Sequence, residues 1–449
     1  MNRKLLTSRL SDGPTMSRRQ VTKFLVLMSA SALTSCLANS EQSAATGDQP
    51  LGGPPGNGSG GPPPGGGPGR PGGSQTITDE FLGVTTDGNV IDGLFPIKAT
   101  GVSTEPIRTA AETFLASLTD DQRSAIQFPL DDDEWRMWNN VDNYSRQGVS
   151  LQEMTQAQRV AAFDLLAAAL SAKGFDYAQD IMKLNTVQGE LLDSTDRFNE
   201  LLYWFTMMGN PSATDPWGFQ IDGHHLSVNY LILGDQVVMA PVFLGAEPPV
   251  APTSTTYAGT AVLQIEQDRG LSFVQSLSAE QQAIANLSSD KTTDDLQAGA
   301  FSDNAVIPYA GIVGTDLTDE QRSQLLALIG EWIGVMREGH AEIKMSEVEN
   351  ALDETYFSWI GSTGDDAVFY YRIQSPVVLI EFDHQRPGPL GQNPEYAGDL
   401  PTRQHIHSMI RTPNGNDYGK SLIALHLQAY AHVQTSAGVV HVPRLSNRR

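Results

Sequence analysis

Five of the nine histidines in this 449-residue chain fall in three short segments beside strand-like sequence. His224 and His225 are adjacent in Asp222-Gly223-His224-His225-Leu226-Ser227-Val228-Asn229. His384 follows Glu381-Phe382-Asp383, and His405 and His407 form a His-x-His within Arg403-Gln404-His405-Ile406-His407-Ser408-Met409-Ile410-Arg411. Side chains alternate along a strand, so His405 and His407 are expected on one face, about 7 Å apart, with Arg411 further along it. One strand can in this way offer two imidazoles to a single ion, and a third histidine and a carboxylate would complete a zinc, copper or non-haem iron site. The natural additions are Glu381 and either His225 or His224, since alternation lets only one of that pair face a given direction. Around such an ion, Arg411, Asp417 and His426 form the candidate catalytic set, polarising substrate or acting as general base. Asn229 and Arg372 are the candidates for binding an oxygen-rich substrate. A metal-free polar cleft on the same residues is the alternative, because a lone His-x-His in a β protein usually marks two ordinary polar positions.

Other catalytic patterns are missing from the sequence. It has no Gly-x-Ser-x-Gly elbow, no Walker loop, no His-Glu-x-x-His and no Gly-x-Gly-x-x-Gly after a strand. The chain holds 52 acidic against 29 basic side chains, a formal charge of −23. That balance argues against nucleic acid as a partner, because neutralising phosphates takes clustered Lys and Arg. A single cysteine excludes a disulfide framework, a zinc–thiolate finger and a thioredoxin-type pair.

That cysteine closes a stretch that reads as an export signal. Arg18, Arg19 and Lys23 precede the apolar run Phe24–Met28, which is too short to span a bilayer. Leu33-Thr34-Ser35-Cys36 looks like a bacterial lipobox, with Cys36 as the lipidated residue. Ser17–Lys23 resembles a twin-arginine signal but departs from it at Val21 and Thr22, and translation from Met16 rather than Met1 would set the arginines near the start. Residues 37–76 are Pro/Gly-rich low complexity and read as an extended tether. Localisation is therefore expected to be periplasmic or cell-surface, with membrane contact through the lipid anchor alone; the oligomeric state is not legible.

The elements that must position the histidines lie in residues 77–449, read as one folded domain. Four hydroxyl-x-x-Gln sequences beginning at Thr119, Thr155, Ser278 and Thr318 fit capping boxes and mark helix starts. Helical periodicity follows two of them, in Phe163, Leu166, Leu170 and in Leu325, Leu328, Ile329, Trp332. After each of these two helices comes an aromatic cluster, Tyr203-Trp204-Phe205 or Tyr356–Trp359, and then a strand-like run, Trp217–Leu233 or Val368–Phe382. The expected fold is α+β, with two pseudo-repeated halves (about 150–265 and 315–432), each carrying helices on a mainly antiparallel sheet. A hairpin is expected at Leu233-Gly234-Asp235. Trp135 and Trp138, after the acidic loop Asp131–Glu134, read as core aromatics, with a substrate rim as the alternative.

Taken in order, several segments resemble the domain-of-unknown-function family 3500 of bacteria and fungi. They include Phe128-Pro129-Leu130-Asp131-Asp132 with Trp138, Gly148-Val149-Ser150-Leu151, Gly223–Asn229, Phe243–Pro248, Phe357-Ser358-Trp359 and Phe369–Ile373. Ile380–Asp383, His405–Ser408 with Arg411, Asp417-Tyr418-Gly419 and His426 complete the set, so the likeness runs from about 105 to 432. The resemblance implies no activity. Pro387–Pro401 is lengthened relative to it, which suggests a lid and leaves His384 without a clear role.

The sequence reading is thus an exported lipoprotein enzyme with one divalent metal, zinc first and copper or iron next, performing metal-assisted hydrolysis of a small-molecule substrate. A non-catalytic lipoprotein that binds a ligand or metal in the same cleft is its rival.

Overall fold

In a computed structural model, residues 77–435 and 438–443 are described, so the export signal, Cys36 and the tether of residues 37–76 lie outside the described residues. The helices are α1 (Glu105–Ser117), α2 (Asp120–Ile126), α3 (Gln156–Ala169), α4 (Ala172–Leu191), α5 (Gln264–Ser276), α6 (Ala279–Ala285), α7 (Asp319–Ile333), α8 (His340–Asn350) and α9 (Lys420–Ala429). All four expected capping boxes are present at the starts of α2, α3, α6 and α7. Each cap is worth about 1 kcal/mol. The capping glutamines also bond to one another in pairs: Gln158 Nε2 donates to Gln122 Oε1 (2.7 Å), and Gln321 Nε2 to Gln281 Oε1 (2.8 Å). Sequence separated in this way is therefore tied side to side at the helix starts.

Among the described residues, twelve strands form one sheet. They are β1 (Gln127–Phe128), β2 (Val149–Ser150), β3 (Tyr203–Met208), β4 (Trp217–Gly223), β5 (Leu226–Leu233), β6 (Gln236–Ala246), β7 (Asn286–Ser288), β8 (Ile312–Val313), β9 (Tyr356–Gly361), β10 (Phe369–Gln374), β11 (Leu379–His384) and β12 (Ile406–Arg411). A separate hairpin pairs β13 (Tyr430–Thr435) with β14 (Gly438–Pro443). The main order is β1-β3-β4-β5-β6-β12-β11-β10-β9-β7, mostly antiparallel, with parallel pairs only at its ends, β1 with β3 and β7 with β9. The fold is α+β, as the composition of elements predicts, but the sheet is continuous across the junction of β6 and β12 rather than split between two halves. The hairpin at Gly234-Asp235 joins β5 to β6. Each single strand-like run of the sequence is in fact two strands: β4 and β5 fold back at His224-His225, and β10 and β11 at residues 375–378.

Strand alternation sorts the core into two layers. Tyr203, Phe219, Val228, Val242, Phe382 and Ile410 face the helices, packing with residues such as Phe114, Leu165, Ile181 and Trp332. Leu231, Phe243 and Met409 face the other way, under a cover of connecting segments that includes Trp135, Trp138, Ala298, Ile307 and Tyr418. Both sheet faces are therefore buried, although several strands alternate apolar with polar residues, as in Trp217–Asp222 and Ile380–Asp383. Trp135 and Trp138 are fully buried core aromatics. Polar strand residues that share the second face (Asn229, Arg372, Glu381, Asp383, His407 and Arg411) must each find a partner inside it.

Candidate metal centre

β12 lies antiparallel to β6, with His407 opposite Gly245 and Ile406 opposite Ala246. On the other side of β6, Leu226 pairs with Leu244, so the β4–β5 turn at His224-His225 stands next to the start of β12. His225 is at this turn, not on a strand, and has a left-handed φ of 64°. Its N–H donates to Asn140 O (3.1 Å) and its carbonyl accepts from Gly245 N (2.8 Å). A non-glycine residue in this region costs about 1–2 kcal/mol relative to the right-handed one, so a histidine placed where a glycine would be relaxed points to work done by its side chain. Gly245 makes room for that side chain: a Cβ there would stand 3.2 Å from His225 Cδ2 and 2.8 Å from Ile406 O.

These contacts bring His225, His405 and His407 together. One ring nitrogen from each lies within 4.8 Å of the others. His405 Nε2 sits 3.2 Å from His225 Nε2 and 2.9 Å from His407 Nε2. His405 Nδ1 is 2.6 Å from Arg386 O, an acceptor only, so Nδ1 carries a proton. A neutral His405 then has one lone pair at Nε2, and a protonated one has a single N–H there. Either way one nitrogen faces two partners and can make a good hydrogen bond with only one of them. A cation between the rings removes the conflict, since all three lone pairs then point at it. Tetrahedral zinc at about 2.0–2.1 Å from each nitrogen sets those nitrogens about 3.4 Å apart, a few tenths of an ångström beyond the distances found here.

The electrostatics suit a ligand set. Burial, followed by the neighbouring histidines, holds His225 and His407 well below the usual imidazole range, so both offer neutral lone pairs at pH 7. Glu247, 3 % exposed, places Oε1 3.8 Å from His405 Nδ1. Its carboxylate is oriented by Gln188 Nε2 (2.8 Å), Gly388 N (2.6 Å) and Leu390 N (3.1 Å). A carboxylate and a carbonyl behind one histidine are what fixes the tautomer and raises the basicity of a metal ligand. Two of those donors belong to the lengthened segment Pro387–Pro401, which therefore closes over the back of His405. His407 is partly exposed, while His225 and His405 are buried.

The other sequence candidates are placed elsewhere. His224 is excluded from the triad by the turn: its Nδ1 pairs with Asn185 Oδ1 (2.8 Å), and its ring stacks on His225 with centroids 3.9 Å apart. Burial lowers its pKa to about 3. Glu381 is not a fourth ligand. Its carboxylate accepts from Gln297 N (2.9 Å), Ala298 N (2.8 Å) and Tyr370 Oη (2.7 Å), tying the cover segment to the sheet. Asn229 is spent on Gln220 (2.7 Å) and Pro241 O (3.0 Å), and Arg372 reaches Pro308 O (3.1 Å). Arg411 is fully buried between Asp303 (2.8 Å) and Asp417 (2.9 Å) and donates to Ala298 O and Gly299 O. Burial, opposed by Arg411, moves Asp417 up to about 6. His426 packs on Tyr430 at 5.0 Å on α9. His384 is a core residue, its Nδ1 accepting from Phe369 N (2.9 Å) and its Nε2 donating to Gln267 Oε1 (2.9 Å).

Three further residues beside the triad escape a sequence reading. Gly245 and Glu247 lie in an apolar strand and just past it, where nothing but the resemblance marked them. Asp383 stands directly opposite His407 and forms an ion pair with Lys291 (3.0 Å), itself 2 % exposed. Burial raises Asp383 to about 7, against the pull of Lys291. A buried lysine far off in sequence could have been suspected only from its rarity in an acidic chain.

Residues 100–420 match the family described as "Protein of unknown function (DUF3500)". No curated protein and no solved structure matches the chain. Among the described residues no helix is long and apolar enough to cross a membrane.

Proposed function

We propose that this chain, which belongs to the DUF3500 family of proteins of unknown function, is an exported lipoprotein that binds one divalent cation on His225, His405 and His407. Zinc is the first choice, and copper and iron are the other ions that imidazoles suit. The observation that carries the reading is the position of His405 Nε2 between two further imidazole nitrogens, with its own Nδ1 committed to Arg386 O. Among the described residues, no carboxylate or cysteine joins the group within ligand reach. Three protein ligands and an open fourth position are the pattern of catalytic rather than structural zinc. Bound there, the ion would supply a Lewis acid and a water acidified to about neutral pH, which favours hydrolysis of a small ester or amide over redox chemistry.

The chain's own contribution is orientation. Arg386 O holds the His405 ring with the Glu247 carboxylate 3.8 Å behind it, Gly245 leaves space for His225, and Phe243 flanks His407 with ring centroids 5.0 Å apart. Export and lipidation rest on the sequence features at Arg18-Arg19 and Cys36. Radiolabelled palmitate incorporated into the wild type and absent from Cys36→Ser would support them.

Elemental analysis decides the metal. One zinc per chain in the wild type, lost in a His405→Ala/His407→Ala double variant together with hydrolysis of a panel of carboxyl and phosphate esters, supports the enzyme reading. Stoichiometric metal with no hydrolysis favours the binding rival. Absence of tight zinc, copper or iron binding by the folded wild type overturns both.

A further inference from the structure

The β6–β12 pair has two ends, and the histidines occupy only one of them. At the other, where β6 begins at Gln236–Met239 and β12 runs out at Ile410–Thr412, there is a cavity of about 50 Å³. Its walls include Phe95, Trp332, Ile333 and Leu422, and its polar edge is made by Lys98, Lys344, Glu347 and Asn416. A volume of this size holds a group of about three to five water-sized atoms, enough for the polar head of a small molecule.

The polar edge is unbalanced in two ways. Glu347 faces two ammonium groups, Lys98 Nζ at 3.2 Å and Lys344 Nζ at 3.3 Å, so at contact distance one carboxylate serves two cations, and Asp417 acts on Lys344 without an ion-pair contact. Lys344 spends one more donor on Val377 O (2.8 Å) and stands over the Phe95 ring at 5.7 Å, which leaves one of its three N–H groups without a protein acceptor among the described residues. Burial lowers the Lys344 pKa, against the upward pull of Glu347 and Asp417. Asn416 is 3 % exposed, and its Oδ1 has no hydrogen-bond partner among the described residues. A buried acceptor left in this way costs about 1–3 kcal/mol until a donor arrives.

We infer that this cavity is a second small-molecule site, separate from the histidine group, and that it takes a short-chain hydroxy acid. The carboxylate supplies the charge that Lys344 and Lys98 lack. The hydroxyl supplies the donor for Asn416 Oδ1. An amine would also donate, but as an ammonium it would add a third cation to a site that already has a surplus. The cavity takes the polar head, and the short alkyl body extends out of it past Phe95.

The test uses metal-free full-length protein and four probes of similar size: 3-hydroxybutyrate, butyrate, 1,3-butanediol and butylammonium. Binding is followed by saturation-transfer NMR and by the change in tryptophan fluorescence. Saturable 3-hydroxybutyrate binding is expected, with butyrate roughly tenfold weaker and the uncharged and cationic probes weaker still. Lys344→Met should weaken 3-hydroxybutyrate at least tenfold, and Asn416→Leu should bring the two acids to equal affinity. If Lys344→Met does not fold, the exposed rim variant Lys98→Met is read instead, with a several-fold loss expected. The His405→Ala/His407→Ala variant should bind 3-hydroxybutyrate as the wild type does, so this result stands apart from the fate of the metal proposal. Equal binding of butylammonium or butanediol, undiminished affinity in the lysine variants, or no saturable binding by any probe would overturn the inference.

Discussion

Replacing His405 with alanine isolates the physical argument for the metal centre. His405 is the shared vertex of both short nitrogen contacts, 3.2 Å to His225 and 2.9 Å to His407, and it has the Glu247 carboxylate behind it at 3.8 Å. Without it two imidazoles remain, and the pull of the carboxylate behind the site is lost. In the wild type, zinc at a hundred times its dissociation constant should stabilise the native state by about 2.7 kcal/mol. Roughly 350 folded residues at about 2.1 cal/mol/K each give an unfolding entropy of about 0.7 kcal/mol/K, so the rise in Tm is about 4 °C. The assay is a zinc titration of chelator-stripped protein by scanning calorimetry, with cobalt as a spectroscopic partner that reports a tetrahedral field. His405→Ala should show a rise of less than about 1 °C at the same zinc concentration, and His426→Ala should keep the full shift. A wild-type response that survives in His405→Ala would refute the reasoning, because the ion would then be held elsewhere.

Three other outcomes follow from the packing. Gly245→Ala pushes a methyl toward His225 and should lower zinc affinity about 10–100-fold at a stability cost of about 1–3 kcal/mol, measured by competition with a chromogenic chelator and by urea melts. Arg411→Met strands the buried carboxylates of Asp303 and Asp417, and should cost about 3–5 kcal/mol in chemical denaturation while zinc stoichiometry stays at the wild-type value. Burial lowers His340 from 6.5 to about 4, so the unfolded chain takes up its proton first as pH falls. That contribution to stability is fully present above about pH 6.5 and is lost toward pH 4 at up to about 1.4 kcal/mol per unit. His340→Leu should flatten the pH-dependence in that window by this amount, and an unchanged slope in paired urea melts would remove His340 from the account.

Local features carried much of this far in the sequence. The capping boxes at Thr119, Thr155, Ser278 and Thr318 fix helix starts because hydroxyl and glutamine meet within one turn, and no distant residue is needed. The spacing of His405 and His407 kept the two rings close, but only His407 lies on β12; His405 stands in the bend before it, and the rings are nearly perpendicular. Strand boundaries were less legible: apolar and polar residues alternate on both sides of His224-His225, so periodicity alone does not show the fold-back there.

What the chain by itself determined is the α+β class, the helix starts and the identity of three histidine segments, all of which depend on contacts within a few residues. Only the tertiary structure decided which polar residues meet. Asn229, Arg372, Glu381 and Arg411 share a sheet face with His407, yet each is satisfied by a carbonyl, an amide or a carboxylate brought by the covering segments. Burial makes those partners obligatory, and a buried charge takes whichever neighbour the fold brings. His225 reaches His405 and His407 through the junction of β6 with β12 and a turn held in a left-handed conformation, and that meeting depends on strand order rather than on any local pattern.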